Sequence, residues 1–275
     1  MKLFVKQLVI YPAILYNSGM AKVIAFSNQK GGVGKTTTCV NLAAYVAKAG
    51  KKVLVADMDP QGNASSALGF FERKDKKSVY EVLVGDLSAL DAVKKTECDG
   101  LYVITSSGDL AGAELELAQV MIGRERVLDE KISALKEEYD FVFIDCPTSL
   151  GLLTVNSLAA SDGVVVPIQC EYFALEGLSQ MMNTVKLVKK FLRPDIEVEG
   201  VVITLYDGRS KLSKGVVEEI NKVFGSKVYD TKIPRNVRLA EAPSYGKPVS
   251  EYDPKCAGAA AYGKLAAEFL GRINK

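Results

Sequence analysis

The 275-residue chain contains no histidine and no tryptophan. Without histidine there is no imidazole to act as a general base and none to bind a metal, so both kinds of chemistry are excluded. Cysteine is sparse and scattered: Cys39, Cys98, Cys146, Cys170 and Cys256 include no Cys-x-x-Cys pair. That spacing supplies neither a zinc ligand set nor a disulfide framework, and it fits buried thiols in a reducing compartment. An excess of one charge is missing too. There are 35 Lys and Arg against 33 Asp and Glu, a formal +2. Lys2 and Lys6 account for that surplus, because residues 1–19 hold no acid. A polyanion would therefore have to meet a local basic patch rather than the bulk field of the molecule. The apolar run 8–16 is too short to cross a bilayer and is interrupted by Pro12.

What is present is an ordinary globular balance, 48% hydrophobic and 25% charged, in a chain long enough for one large core. Apolar runs at 23–26, 52–56, 101–104, 141–144, 164–167 and 198–205 read as buried strands. A last short strand is expected within 227–233. Helical spacing recurs at 35–49, 113–122, 124–138, 175–192, 211–224 and 257–272, with shorter helices at 78–84 and 89–95. This alternation predicts a single-domain α/β fold: a mainly parallel twisted sheet with helices on both faces. No repeat or linker divides it. Residues 1–19 stand apart as an N-terminal extension. Met20 immediately precedes the first strand, so the expectation is a domain spanning 20–275 and a misassigned start upstream.

The densest signal lies between the first strand and the first long helix. There Lys30-Gly31-Gly32-Val33-Gly34-Lys35-Thr36-Thr37 forms a glycine-rich turn. Such a turn lets successive backbone N–H groups converge on an anion, and the following helix points its positive dipole end at the same place. Lys35 adds a mobile cation and Thr36 a hydroxyl suited to Mg²⁺. The usual phosphate loop has glycine where this chain has Gln29, and it has no counterpart of Lys30. Two later strands end in carboxylates, at Asp57-Met58-Asp59-Pro60-Gln61-Gly62-Asn63 and at Asp145-Cys146-Pro147. Carboxylates at the C-terminal ends of parallel strands stand where α/β sheets bind ligands, and an apolar strand closed by Asp145 has the form that holds Mg²⁺ opposite the loop threonine.

Taken together, these three stretches resemble the deviant Walker A ATPases of the P-loop NTPase fold, and within them the ParA/Soj partitioning branch. The segments 207–210, 233–238 and 241–248 resemble that branch as well, and the likeness runs over about residues 21–272. It implies an Mg²⁺-dependent ATPase. In such an enzyme Lys30 reaches across a dimer to the partner's phosphates, and Gly32 lies where the two backbones approach. Lys35 contacts the β- and γ-phosphates, Gly31, Val33 and Gly34 complete the cradle, and Thr37 meets the α-phosphate. Thr36 and Asp145 hold the metal with Asp57 in support, Asp59 positions the attacking water, and Pro234 and Asn236 border the base.

The same resemblance implies an ATP-dependent homodimer that binds double-stranded DNA without sequence preference. Arg209, Lys211, Lys214, Arg235, Arg238 and Lys247 would be its phosphate contacts, with Arg209 and Arg238 foremost. A ParB-like partner would stimulate hydrolysis and release, in the cytoplasm on the nucleoid and away from membrane. The alternative is a MinD-like regulator that cycles on a membrane. It would need a C-terminal helix with bulky apolar anchors and basic flanks, whereas residues 258–275 are mostly small.

Overall fold

The computed structural model describes residues 20–72, 74–171 and 173–273. The expected extension 1–19 lies outside these residues. Seven strands form one sheet: β1 (Lys22–Phe26), β2 (Val53–Asp57), β3 (Lys94–Lys95), β4 (Leu101–Ile104), β5 (Phe141–Asp145), β6 (Gly163–Gln169) and β7 (Glu197–Thr204), in the order β3-β4-β2-β5-β1-β6-β7. All pairings are parallel except that of β3 with β4. The helices are α1 (Lys35–Lys48), α2 (Asn63–Ala67), α3 (Val79–Leu83), α4 (Ala89–Ala92), α5 (Leu110–Gln119), α6 (Val127–Lys131), α7 (Leu152–Ala159), α8 (Ala174–Phe191), α9 (Lys211–Phe224), α10 (Val237–Glu241), α11 (Val249–Tyr252) and α12 (Ala257–Ile273).

The strands read as continuous apolar runs because both faces of the sheet are covered, and the period of two sorts their side chains between two cores. Val23, Ala25, Leu54, Ala56, Val142, Ile144, Val164 and Val166 face one layer of helices, which includes α5, α7 and α8. Ile24, Phe26, Val53, Val55, Phe141, Phe143 and Val165 face the other, made of α1 and α12. Pro167 is tolerated inside β6 because pairing with β1 stops at Val165.

Four expectations differ from what forms. Lys94–Lys95 ends the expected helix 89–95 as a two-residue edge strand against Tyr102 and Val103. Residues 227–233 make only isolated bridges, Val201 with Val228 and Tyr206 with Pro234, and Pro234 has no N–H to extend the ladder. The stretch 124–138 is α6 followed by a 3₁₀ turn. Helix α7 is unheralded in the sequence, since Leu153, Thr154, Asn156, Ser157 and Leu158 are all buried and no polar face marks its period. Its Asn156 is fully satisfied: Oδ1 accepts from the Leu128 N–H, and Nδ2 donates to the carbonyls of Arg124 and Leu152.

The sheet order places the C-terminal ends of β1, β2 and β5 side by side. In register, Asp145 lies beside Phe26 on one side and Asp57 on the other. The strand that leads into the glycine turn and the two strands that end in carboxylates thus open on one edge.

Candidate active site

The loop from β1 to α1 is held at both ends by side chains. Asn28 donates from Nδ2 to the Pro167 carbonyl at 2.8 Å and accepts the Lys30 N–H on Oδ1 at 3.0 Å. Gln29 has no positive φ, so the glycine usual at this point is not required, and its amide donates to Thr184 Oγ1 on α8. Gly32 and Gly34 do need their freedom, with φ of 74° and 79°. A Cβ on Gly34 would lie 3.7 Å from the Thr204 side chain, while one on Gly32 would meet nothing within 4 Å among the described residues. Gly31 and Gly32 are exposed and Val33 is buried. The Val33 carbonyl accepts from Thr204 Oγ1 at 2.7 Å, tying the loop to the end of β7. Lys30 Nζ lies 2.5 Å from Glu171 Oε2 just beyond β6, so its charge is neutralised within its own subunit.

Helix α1 begins at Lys35, which is buried, and Thr36, whose Oγ1 donates to Asp145 Oδ2 at 2.7 Å. The other oxygen of Asp145, Oδ1, is buried and has no hydrogen-bond partner among the described residues. Burial, followed by the Asp57 charge, pushes the Asp145 carboxyl well above the usual range; Thr36 and Lys35 pull it back. A buried carboxylate oxygen with no donor is a place for a divalent cation. The donor set, one carboxylate and one hydroxyl beside a phosphate loop, suits Mg²⁺, which takes its remaining ligands from water and phosphate. Among the described residues no cluster of three His, Cys, Asp or Glu side chains offers a rival metal site.

Asp57 does not share that arrangement. Its Oδ2 accepts from the Ser65 N–H at 2.7 Å and from Ser65 Oγ at 2.6 Å, and its Oδ1 from the Asp59 N–H at 3.2 Å. Burial raises its pKa to about 6 against these donors. Asp57 is thus committed to the loop that carries Asp59. Asp59 itself lines the cleft, and its Oδ1 accepts the Gln61 N–H at 2.9 Å.

The cleft has a volume of about 520 Å³. Gly32, Gly34, Lys35, Thr36, Thr37 and Asp59 form its polar end. Ile233, Asn236, Leu239, Ala242, Pro243 and Tyr262 form a mostly apolar wall, suited to the flat face of a base. Asn236 is therefore on the cleft; Pro234 is beside it, bridged to Tyr206, with Ile233 taking the lining position. Leu205, also on the wall, is the one non-glycine described with a positive φ, 49°. Such strain persists only where the surroundings fix it, and here the Tyr206 N–H to the Ile233 carbonyl and the Thr204 bond to Val33 do so. Thr204, Leu205, Tyr262 and Glu171 are site residues that sequence patterns did not point to.

Of the six candidate polyanion contacts four lie together and two are placed singly. The Tyr206 bond and bridge set the 206–211 loop beside the 233–236 segment, so Arg209, Lys211, Lys214 and Arg235 belong to adjoining stretches. Arg209 is 93% exposed and sits on its neighbour Asp207 at 3.1 Å. Lys211, Lys214 and Arg235 are exposed, and no described carboxylate lies within ion-pair distance of them. Arg238 is gripped by Glu241 at 2.8 Å and Asp253 at 3.3 Å. Lys247 stands apart, lining the cleft and 3.7 Å from Glu97.

Comparison with known proteins follows the same lines. A family model described as an AAA domain matches residues 21–198. The sporulation initiation inhibitor protein Soj of Bacillus subtilis is 55% identical over 249 residues, covering 90% of this chain and 98% of that one. The chromosome partitioning protein ParA of Caulobacter vibrioides is 50% identical over 253 residues, covering 91% and 94%. Among solved structures, cobyrinic acid a,c-diamide synthase of Mycobacterium smegmatis with bound ADP and magnesium matches with a TM-score of 0.81 at 36% identity. The match covers 92% of this chain and 96% of that one.

Proposed function

The chain belongs to the ParA/Soj family of chromosome-partitioning ATPases, and from that membership we propose its working cycle. ATP closes two copies face to face, and the closed pair holds duplex DNA through its phosphates. A ParB-like partner then triggers hydrolysis to ADP and phosphate, and the pair releases. The cycle runs in the cytoplasm on the nucleoid. The observation that carries it is the Thr36–Asp145 pair, with one carboxylate oxygen unpartnered among the described residues, beneath a cleft that Thr36, Asp59 and the glycine turn line together.

Each residue has a task that its surroundings support. The turn's N–H groups and the α1 dipole hold the phosphates, and Lys35 offsets their charge. Thr36 and Asp145 hold Mg²⁺, which when bound neutralises phosphate charge. Asp59 orients the attacking water. No base of tuned pKa is required, because positioning and electrostatics carry phosphoryl transfer, which agrees with a chain free of histidine. Lys30 acts in trans on the partner's phosphates, and to do so it leaves Glu171.

A membrane-cycling role finds no support in α12. Its Tyr262, Leu265 and Phe269 are buried in the core against α1 and β5, so its apolar side is already used. Among the described residues no helix is long and apolar enough to cross a membrane.

The cycle is tested with Asp59→Ala on plain duplex DNA at graded salt. The expected result is retained ATP binding, abolished hydrolysis, and a DNA complex that accumulates with ATP and dissolves as salt rises. Wild-type hydrolysis by this variant would remove Asp59 from the reaction. A complex indifferent to salt would overturn the phosphate-contact reading.

A further inference from the structure

We infer that Ser106 is a positioning residue for ATP hydrolysis, holding the main chain of Asp59 through a closed ring of buried hydrogen bonds with Asp57 and Ser65. The inference rests on the reading of Asp59 as the group that orients the attacking water.

The ring joins Ser106 to three residues of one stretch, Asp57, Asp59 and Ser65, through contacts 41 and 47 residues back along the chain. Ser106 Oγ donates to the Asp59 carbonyl at 2.7 Å, and the Ser106 N–H donates to Ser65 Oγ at 2.9 Å. Ser65 Oγ donates onward to Asp57 Oδ2 at 2.6 Å, and Asp57 Oδ1 accepts the Asp59 N–H at 3.2 Å, closing the circuit. Asp59 is therefore gripped by both its N–H and its C=O. Asp57, Ser65 and Ser106 are buried, so water cannot replace a missing member. Ser65 Oγ donates to Asp57 and accepts from Ser106, which fixes its rotor. Ser106 Oγ has the Asp59 carbonyl at 2.7 Å and only a marginal alternative, the Ser107 carbonyl at 3.5 Å.

The Ser106 contact differs in kind from other buried serine contacts in this chain. Ser157 and Ser161 each return a hydroxyl to the carbonyl four residues earlier in or beside their own helix, at 2.7 and 2.6 Å. Such bonds satisfy a hydroxyl locally and hold no other element. Ser106 instead reaches 47 residues back to the carbonyl of the residue whose side chain lines the cleft. It stands just past the end of β4, a strand that contributes no residue to the catalytic set, and gives that strand a hold on the Asp59 loop. Asp59 lies between Met58 and Pro60, and its carbonyl accepts the Gly62 N–H at 2.8 Å as well as the Ser106 hydroxyl. Ser106 is thus the hold on that peptide group that comes from outside the Asp59 loop. The carboxylate, steadied by the Gln61 N–H, is aimed in part by how well that peptide group is fixed.

The test compares Ser106→Ala with Ser161→Ala in the full chain, at saturating ATP and Mg²⁺ with plain duplex DNA. Ser161→Ala deletes a buried hydroxyl-to-carbonyl bond of similar length away from the cleft and serves as the stability control. Both variants should lower the unfolding midpoint. Ser106→Ala alone should lower kcat, on the order of 10- to 100-fold, as expected when a reacting group is slightly misaligned, with ATP affinity unchanged. Equal kcat in the two variants would overturn the inference. Ser106→Thr, which keeps the hydroxyl, should recover most of the rate. Should Ser106→Ala fail to fold, Ser65→Ala breaks the ring at another member and should show the same split between kcat and affinity; unchanged kcat there would also overturn the inference. Asp59→Ala run in parallel separates the two failures. If it keeps hydrolysing, the reading of Asp59 falls and the ring's role with it; if it is dead while Ser106→Ala is fully active, only the ring's role falls.

Discussion

Asp145 and Asp57 are neighbours in register, yet their oxygens have different fates. Asp145 keeps one oxygen on Thr36 and one on nothing, whereas Asp57 spends both on Ser65 and Asp59. Thr36→Ala should therefore act on the metal-dependent part of nucleotide affinity. Titration calorimetry with ADP should find binding weakened by about tenfold or more with Mg²⁺ present, some 1.4 kcal/mol, and little changed without it. Asp57 makes a pH prediction. Its folded-state pKa is raised from 3.8 to about 6, burial being the largest cause. Between those values the folded chain holds a proton that the unfolded chain has released, so stability from this group falls as pH rises through the window and levels off above it. Urea unfolding of the wild type and Asp57→Asn without Mg²⁺ should differ progressively to the wild type's disadvantage from about pH 4 to about 6; the opposite slope would mean a depressed carboxyl. At this scale Lys35, Thr36, Asp57 and Asp145 were legible because each ends a strand or opens a helix, and Asp59 because it follows a strand end by two residues. Ser65, Ser106, Thr204 and Glu171 were not. The contacts that bring in Ser106, Glu171 and Thr204 reach 41, 141 and 171 residues along the chain, and Ser65 belongs to a five-residue helix with no period to read.

The strands nearest the cleft were the most legible. Strands β1, β2 and β5 carry uninterrupted apolar runs because both faces are covered, and α1 follows a glycine turn whose φ values at Gly32 and Gly34 only glycine adopts freely. Elements without contrast escaped: α7 is buried nearly all round, and α2, α10 and α11 are four or five residues long, too short for a period to show. Helix α12 was legible as a helix, and its packing explains its alanines. Gly258, Ala259, Ala261 and Ala266 are buried small residues alongside the bulky Tyr262, Leu265 and Phe269, and the Phe269 ring centroid lies 5.6 Å from those of both Phe141 and Phe143. Phe269→Ala should cost about 3–5 kcal/mol. A calorimetric scan should show a large drop in the unfolding midpoint, and because Phe269 touches the strand that ends in Asp145, nucleotide should stabilise the variant less than the wild type.

Over the whole molecule, formal charge is close to balanced, and the pairing of individual cations decides where DNA phosphates could be met. The sequence put Arg209 and Arg238 first. The ion pairs separate them: Arg209 shares one exposed carboxylate, an interaction worth little in water, while Arg238 is held by two. Lys211, Lys214 and Arg235 have no described carboxylate within ion-pair distance, the Arg235 charge acting on Asp207 only from farther off. Replacing these three with alanine should lower the slope of log affinity for duplex DNA against log salt by about 0.9 for each phosphate no longer neutralised, with ATP binding intact, whereas Arg238→Ala should change the slope less. Charge pairing across loops is what the sequence could not show, since Asp253 is 15 residues from Arg238 and Glu97 is 150 from Lys247. The strand order has a consequence for synthesis. Both sheet neighbours of β1, namely β5 and β6, come from beyond residue 140. A ribosome adding about 5–20 residues per second needs some 6 to 24 s to make the stretch between β1 and β5. For that time the strand carrying the phosphate loop has no partner, and a nascent chain of this kind should depend on chaperone cover until Asp145 has emerged.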